Sequence, residues 1–138
     1  MPTRKFAGRL TNLDKICHFI TRCAHQAGLD EGQVYAVQLA VDEAATNIIE
    51  HGYGGAERGY LILTCELLAD GLKVVIHDQA PPFDPGEVPE PVAGVLLEEL
   101  KPRGLGVFLM HKMMDEVQHE FKPGYGNTLT MIKRKKPG

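Results

Sequence analysis

Residues 40–54, AVDEAATNIIEHGYG, place Glu43, Asn47 and His51 four positions apart, just before a glycine-rich turn. Side chains four apart share one face of an α-helix, so the spacing predicts a row formed by an acid, an amide and an imidazole. The same helix carries an apolar stripe that predicts its core-facing side, at Val34, Val37, Val41, Ala44 and Ile48. Glu43 and Asn47 fall beside that stripe. Taken alone, the pair is more typical of a solvated flank than of a ligand site.

The predicted helix has a clear beginning, and a second predicted helix precedes it. Asp30 is a capping residue, and Gln33 completes the pattern of a capping box. The preceding segment TNLDKICHFITRCAHQAG predicts another helix, which stops at Gly28 and has apolar residues at Leu13, Ile16, Ile20 and Ala24. RKFAGRL, residues 4–10, alternates enough to be an edge strand.

After residue 59 the apolar period changes from that of helices to that of strands. YLILTCELLADG and LKVVIHDQ predict a hairpin that turns at Asp70-Gly71. EVQHEFK and NTLTMIKRK predict a second hairpin around Gly124 and Gly126. Between them lie a proline-rich stretch at about 80–103 and a helix within GLGVFLMHKMMD. Two hairpins without β-α-β alternation predict an α+β fold: a two-layer sandwich with a mixed, mostly antiparallel sheet of about five strands and three helices on one face.

Composition narrows the class of protein. The 138 residues suit one domain, 1–138, and the net charge of −3 gives no basic footprint for direct nucleic-acid binding. No apolar run approaches the roughly 18 residues that span a bilayer, and the N-terminal stretch lacks the pattern of a signal peptide. We therefore expect a cytoplasmic protein without a membrane segment.

Four potential metal ligands cluster in the first predicted helix, at Cys17, His18, Cys23 and His25. Offsets of six and eight residues scatter side chains around a helix, whereas ligands on one face sit three or four apart. A metal or thiol sensor is therefore the least favoured hypothesis.

Two further stretches carry groups suited to a ligand. In VVIHDQAPPFDP, residues 74–85, a strand ends in Asp78, whose carboxylate can accept from an amine or simply cap a turn. In RGLGVFLM, residues 103–110, two glycines before a helix allow close approach of backbone to phosphate, and Arg103 adds a permanent cation. Each signal is weak when taken alone.

In order and spacing, however, these stretches form a specific set. E-x-x-x-N on a helix, D-x-(G/A)-x-x-F-D-P after a strand, and G-x-G-x-F before a helix together resemble the GHKL (Bergerat-fold) ATPase superfamily. The variants DEAATNIIEHGY, PPFDP and RGLGVFLM are most similar to the histidine-kinase-like ATPase domain of anti-sigma-factor serine/threonine-protein kinases, from bacterial partner-switching systems. The resemblance covers essentially the whole chain.

The resemblance implies roles for the residues that match its motifs. Asn47 would hold Mg²⁺, Glu43 would be the general base, and His51 would help to shape the site. Asp78 would accept from the adenine amino group, next to Ala80 at a position where the family usually has glycine. The remaining implied contacts to ATP are the apolar turn at Phe83, a lid over 86–103 and the phosphate-binding residues Arg103, Gly104, Leu105 and Gly106, with Lys101 as a substitute for Arg103.

The implied function is that of a stand-alone ATP-binding domain that works with protein partners. It would use Mg²⁺ and ATP to phosphorylate a serine or threonine of a STAS-type anti-anti-sigma protein, and so control release of a sigma factor. The family also implies a homodimer. The alternative is a non-catalytic switch that binds nucleotide and partner without transferring phosphate.

Overall fold

The fold is described by a computed structural model for residues 1–53, 59–80 and 109–135. Residues 109–113 are helical. The other elements, in chain order, are β1 (Thr3–Ala7), a 3₁₀ turn (Leu10–Asn12), α1 (Leu13–Gln26), α2 (Glu31–Asn47), a π-helical turn (Ile48–Gly52), β2 (Tyr60–Leu68), β3 (Gly71–Asp78), β4 (Glu116–Lys122) and β5 (Gly126–Arg134).

The five strands form one sheet in the order β1-β2-β3-β5-β4, and all four pairings are antiparallel. The predicted α+β class is therefore confirmed, with a sheet that is antiparallel throughout its described strands. The last strand, β5, lies inside the sheet beside β3, and β4 takes the edge. This order brings the end of β3 next to the start of β5.

Helices α1 and α2 pack against one face of the sheet, and the helical segment at 109–113 contributes to the same core. Alternate residues of the central strands face these helices, as in Leu72, Val74 and Ile76 of β3, which are fully buried. None of the helices in the described ranges is long and apolar enough to cross a membrane.

Helix α2 begins as its sequence predicts. The Asp30 carboxylate accepts from the Gln33 backbone N–H at 2.8 Å, and the Gln33 side chain accepts from the Asp30 backbone N–H at 3.0 Å. Gln33 is also buried, and its Nε2 donates to the backbone carbonyl of Arg134 at 2.8 Å. The capping box therefore fixes the start of α2 against the end of β5.

The apolar stripe of α2 departs from prediction at its end. Ile48 is only partly buried, whereas Ile49 is fully buried. Beyond Asn47 the backbone widens into a π-helical turn, in which Tyr53 N–H donates to the Ile48 carbonyl. Because a π turn holds more residues than an α turn, it shifts which side chain points inward.

Strand boundaries also differ slightly from prediction. β1 ends at Ala7 rather than at residue 10, because the side chain of Asn12 and the backbone N–H of Arg9 both donate to the Ala7 carbonyl, each at 2.8 Å. In the first hairpin Leu68 pairs with Gly71, so the two turn residues are Ala69 and Asp70.

Gly71 is therefore a strand residue, and glycine suits this position because β5 packs closely against it. A Cβ at this position would stand 2.1 Å from the Lys133 carbonyl oxygen of β5. We expect Gly71→Ala to lower the free energy of unfolding by about 2 kcal/mol, because the β3–β5 ladder must shift to admit a methyl group. Urea denaturation measures this change.

The matched control is Gly32→Ala in the first turn of α2, where the nearest atom to a new Cβ is Asp30 Oδ1 at 3.4 Å. A helical glycine replaced by alanine without a clash stabilises by up to about 1 kcal/mol. Equal unfolding midpoints for the two variants would contradict the close approach of β5 to Gly71.

Candidate functional site

Asp78 ends β3 with its carboxylate buried on the helix side of the sheet, at 3% exposure. Its Oδ1 accepts from the Ala80 backbone N–H and from Asn127 Nδ2, both at 2.9 Å. Both hydrogen bonds that described residues donate to this carboxylate end on Oδ1. The second oxygen, Oδ2, receives none from that part of the chain, so it can accept from a ligand.

Burial raises the pKa of the Asp78 carboxyl above its ordinary value. The hydrogen bonds from Asn127 and Ala80 lower the pKa, as does the charge of His77 and His119, but burial has the larger effect. A buried acid with a perturbed pKa at the end of a strand is typical of a functional position.

Asn127 is the site residue that sequence reasoning missed. It pairs in register with Asp78, is buried, and donates through Nδ2 to the Ala80 carbonyl at 3.0 Å as well as to Asp78. Its Oδ1 lies 3.0 Å from His119 Nε2. The only signal in the sequence is an amide in phase with the core residues Leu129 and Met131, which the strand alternation places on one face.

The backbone next to Asp78 is held equally closely. Gly126 has a φ of +110°, and a Cβ there would stand 2.2 Å from the Asp78 carbonyl oxygen. Ala80, where the resembled family usually has glycine, is buried, with its N–H and its carbonyl both hydrogen-bonded. The alanine methyl group is therefore accommodated within this turn.

Helix α2 presents the acid and the amide on one flank, as predicted. Glu43 is partly buried, and its pKa is raised, first by burial and then by the charges of Asp42 and Glu50. Asn47 is also partly buried, and its Nδ2 is a buried atom without a hydrogen-bond partner among the described residues. An amide group without a protein partner is a natural ligand position.

Tyr53 brings the end of the α2 segment to the end of β3. Its hydroxyl donates to the Tyr60 carbonyl and accepts from the Gln79 backbone N–H, both at 2.9 Å. Burial raises the pKa of Tyr53, and the negative charge of Asp78 adds to the increase. A Cβ on Gly59 would come within 2.6 Å of the Tyr53 ring, so glycine makes room for this contact.

Several predicted site residues lie outside the described part of the chain. These are the lid at 86–103 and Phe83, Lys101, Arg103, Gly104, Leu105 and Gly106. The backbone of His51 lies in the π-helical turn, and its side chain is outside the description. Their roles stay predictions.

The cysteine and histidine cluster of α1 is dispersed. Cys23 lies in the core, whereas His18 and His25 are exposed, and His25 Nε2 is 3.3 Å from a Glu31 carboxylate oxygen. Within the described ranges, no three side chains from His, Cys, Asp and Glu form a group that could hold a metal ion.

Comparison with known proteins identifies the family to which this fold belongs. Residues 6–133 match the model of the histidine kinase-like ATPase domain, and the chain therefore belongs to that family. The resemblance inferred from the motifs is confirmed.

Within this class, similar curated proteins share one name. Serine-protein kinase RsbW of Halalkalibacterium halodurans is 32% identical over 118 residues, which cover 83% of this chain and 70% of that protein. Serine-protein kinase RsbW of Staphylococcus epidermidis is 34% identical, over 78% of this chain and 70% of that protein.

Solved structures support the fold. The RsbU and RsbW domains of a Mycobacterium tuberculosis protein match with a TM-score of 0.68 and 15% identity, covering all of this chain and 34% of the other. The catalytic domain of the histidine kinase ThkA matches with a TM-score of 0.51 and 15% identity, over 99% of this chain and 100% of that domain.

The link made by Tyr53 can be tested by removing its hydroxyl. We expect Tyr53→Phe to lower the free energy of unfolding by about 1–3 kcal/mol, because it removes two hydrogen bonds and leaves the Gln79 N–H without its partner. Tyr60→Phe is the control, since Tyr60 contributes only its backbone carbonyl to the link. Urea denaturation compares the variants, and equal losses would argue against the bridging role of the Tyr53 hydroxyl.

The burial of Asp78 predicts a definite pH dependence. Its folded-state pKa is raised above 3.8, so this group contributes stability at low pH that is lost as the pH rises through the folded-state value. Asp78→Asn keeps an oxygen that can accept from Ala80 and Asn127 but carries no charge. We expect the wild type to lose stability relative to this variant as the pH rises from about 4, followed by a constant difference once Asp78 is ionised.

Urea unfolding of both proteins across the acid and neutral range measures this difference. If the wild type instead gained stability over the variant as the pH rose, the hydrogen-bond donors of Asp78 would lower its pKa by more than burial raises it.

Proposed function

We propose that this protein binds Mg²⁺-ATP and transfers the terminal phosphate to a serine or threonine of a STAS-type anti-anti-sigma protein. The observation that carries the proposal is the similarity to the RsbW serine-protein kinases along most of the chain. The geometry of Asp78, Asn47 and Glu43 supports each part of it.

Asp78 is suited to recognise adenine. Its Oδ1 accepts from Ala80 and Asn127, and its Oδ2, which accepts from no described residue, is suited to accept from a ligand. The 6-amino group of adenine donates, whereas guanine presents a carbonyl there. An ionised carboxylate only accepts, so this position favours ATP over GTP.

Asn47 fits a magnesium ligand. The buried Nδ2 belongs to an amide group that no described residue pairs at this atom, and a half-turn of the amide exchanges nitrogen for oxygen. One neutral oxygen from the protein, with phosphates and water, suits Mg²⁺. Held by Asn47, the ion would supply positive charge that offsets the negative charge developing during transfer.

Glu43 lies one turn before Asn47 on the same flank and is suited to act as the base. Its raised pKa makes the carboxylate a better proton acceptor than an ordinary glutamate. In the transfer, the oxygen of the partner's hydroxyl bonds to the γ-phosphorus and the bond to the β–γ bridging oxygen breaks. The hydroxyl proton passes to Glu43, and ADP leaves.

Regulation follows from the acceptor protein. Phosphorylation of the STAS-type partner would weaken its hold on this chain and leave the chain free to bind and withhold a sigma factor. A homodimer, as the family implies, would present two such surfaces.

Incubation with labelled ATP, Mg²⁺ and a STAS-type anti-anti-sigma protein from the same organism tests the enzyme. We expect Glu43→Gln to lower the rate of phosphate transfer by roughly 10²–10⁴-fold while ATP still binds, because the base is lost and the binding groups remain. Asp42→Asn is the matched control, since it removes the neighbouring exposed acid on the same helix. Its rate should stay within a few-fold of the wild type.

Asn47→Ala separates binding from transfer, since it should weaken Mg²⁺-dependent ATP binding itself. Tight ATP binding by the wild type without any transfer to the partner would reject the kinase in favour of the non-catalytic switch. The absence of ATP binding would reject both.

A further inference from the structure

A third side chain, His119 of β4, joins the Asp78 site through Asn127. His119 is partly buried, and its Nε2 lies 3.0 Å from Asn127 Oδ1. Asn127 in turn donates to Asp78 at 2.9 Å and to the Ala80 carbonyl at 3.0 Å. The contact therefore reaches the carboxylate from two strands away, across β5.

Hydrogen-bonding chemistry fixes the direction of this chain of contacts. The Ala80 carbonyl and an ionised Asp78 can only accept, so the NH₂ end of the Asn127 amide must face them. The oxygen of the same amide then faces His119, which must donate through an Nε2–H. Both ends of the Asn127 amide are thus held, and only one orientation satisfies them.

We propose that His119 is a positioning residue for nucleobase specificity: by donating to Asn127, it holds the Asp78 carboxylate ionised and aimed at the 6-amino group of adenine. The inference rests on the proposed binding of ATP at Asp78. It adds a residue to that site and assigns it a role in selecting adenine over bases with a 6-carbonyl group.

The role follows from what the loss of the donor would do. Without His119, the buried oxygen of Asn127 loses that hydrogen bond, and the amide is held only through its NH₂ group. The hydrogen bond from Asn127 to Asp78 is then less firmly fixed, and a buried carboxylate with a weaker donor takes up a proton more readily.

A protonated Asp78 reverses the preference of the site. It can donate to the 6-carbonyl of hypoxanthine, and it accepts less well from the amine of adenine. Affinity for ATP should fall while affinity for inosine triphosphate rises, and both changes lower the ratio of the first affinity to the second. Among the described residues, the other ionisable groups acting on Asp78 are His77 and Tyr53.

Calorimetric titration of the full chain with ATP and with inosine triphosphate, both with Mg²⁺, tests the proposal. We expect His119→Leu to lower the preference for ATP by about tenfold, the ratio that one hydrogen bond to a charged group can supply. His119→Gln places an amide N–H at a similar reach from the backbone and should restore most of the preference.

His77→Leu is the matched control. His77 precedes Asp78 in β3, and its charge also acts on Asp78, but its ring lies against Thr128 and Tyr125 on the opposite face of the sheet. The variant removes a comparable charge without touching Asn127, so its preference for ATP should fall much less than that of His119→Leu.

The possible results distinguish the role of His119 from the proposed binding of ATP. A wild type that prefers ATP, with the same preference in His119→Leu, would overturn the role of His119 alone. An equal loss of ATP preference in His77→Leu, or no recovery of that preference in His119→Gln, would indicate a general effect of charge rather than a hydrogen bond. Either result would also overturn the role of His119. A wild type that binds neither nucleotide would overturn the proposed function and this inference together.

One measurement needs no variant and so does not depend on the folding of His119→Leu. In the ¹⁵N spectrum of the wild-type protein at neutral pH, His119 should be protonated at Nε2. A ring protonated only at Nδ1 would overturn the proposal, because it could not donate to Asn127.

Discussion

The buried carboxylate of Asp78 is the constraint on which the arrangement of this site depends. A charge removed from water must find donors, and here they come from Asn127 and from the backbone of Ala80. Asn127 lies 49 residues beyond Asp78, and only the pairing of β5 with β3 brings the two together. The position of the last strand inside the sheet is therefore as much a property of the site as of the fold.

A second contact places the helix that carries Glu43 and Asn47. A helix and a strand that meet only through apolar packing can slide by fractions of an ångström. The hydroxyl of Tyr53 replaces that freedom with two directed hydrogen bonds, to Tyr60 and to Gln79. The π-helical turn before Tyr53 sets the direction in which this side chain leaves the helix. Gly59, just before β2, has a structural reason as well, since it leaves space for the Tyr53 ring.

Local features of the sequence predicted local structure well. The capping box of α2 and both hairpins follow from patterns among residues that are close in the sequence. Errors arose where distant parts of the chain decide the outcome. Gly71 was assigned to a turn, although its role is to admit the Lys133 carbonyl. Asn127 was missed because its importance depends on the register of β5 with β3, which no short motif encodes.

The groups suited to chemistry are also groups whose burial is unfavourable for folding. Asp78 and Glu43 both have a raised pKa because they are withdrawn from water, and Asn47 has a buried NH₂ group without a described partner. Each costs folding free energy that a well-paired or apolar side chain would not. The described residues around Asp78 offset only part of that cost, because Asn127 and Ala80 donate to one oxygen and no described residue donates to the other. A nucleotide that donates to this oxygen and a cation that binds Asn47 would satisfy the unpaired groups, so ligand binding and folding stability should be linked through the same few atoms.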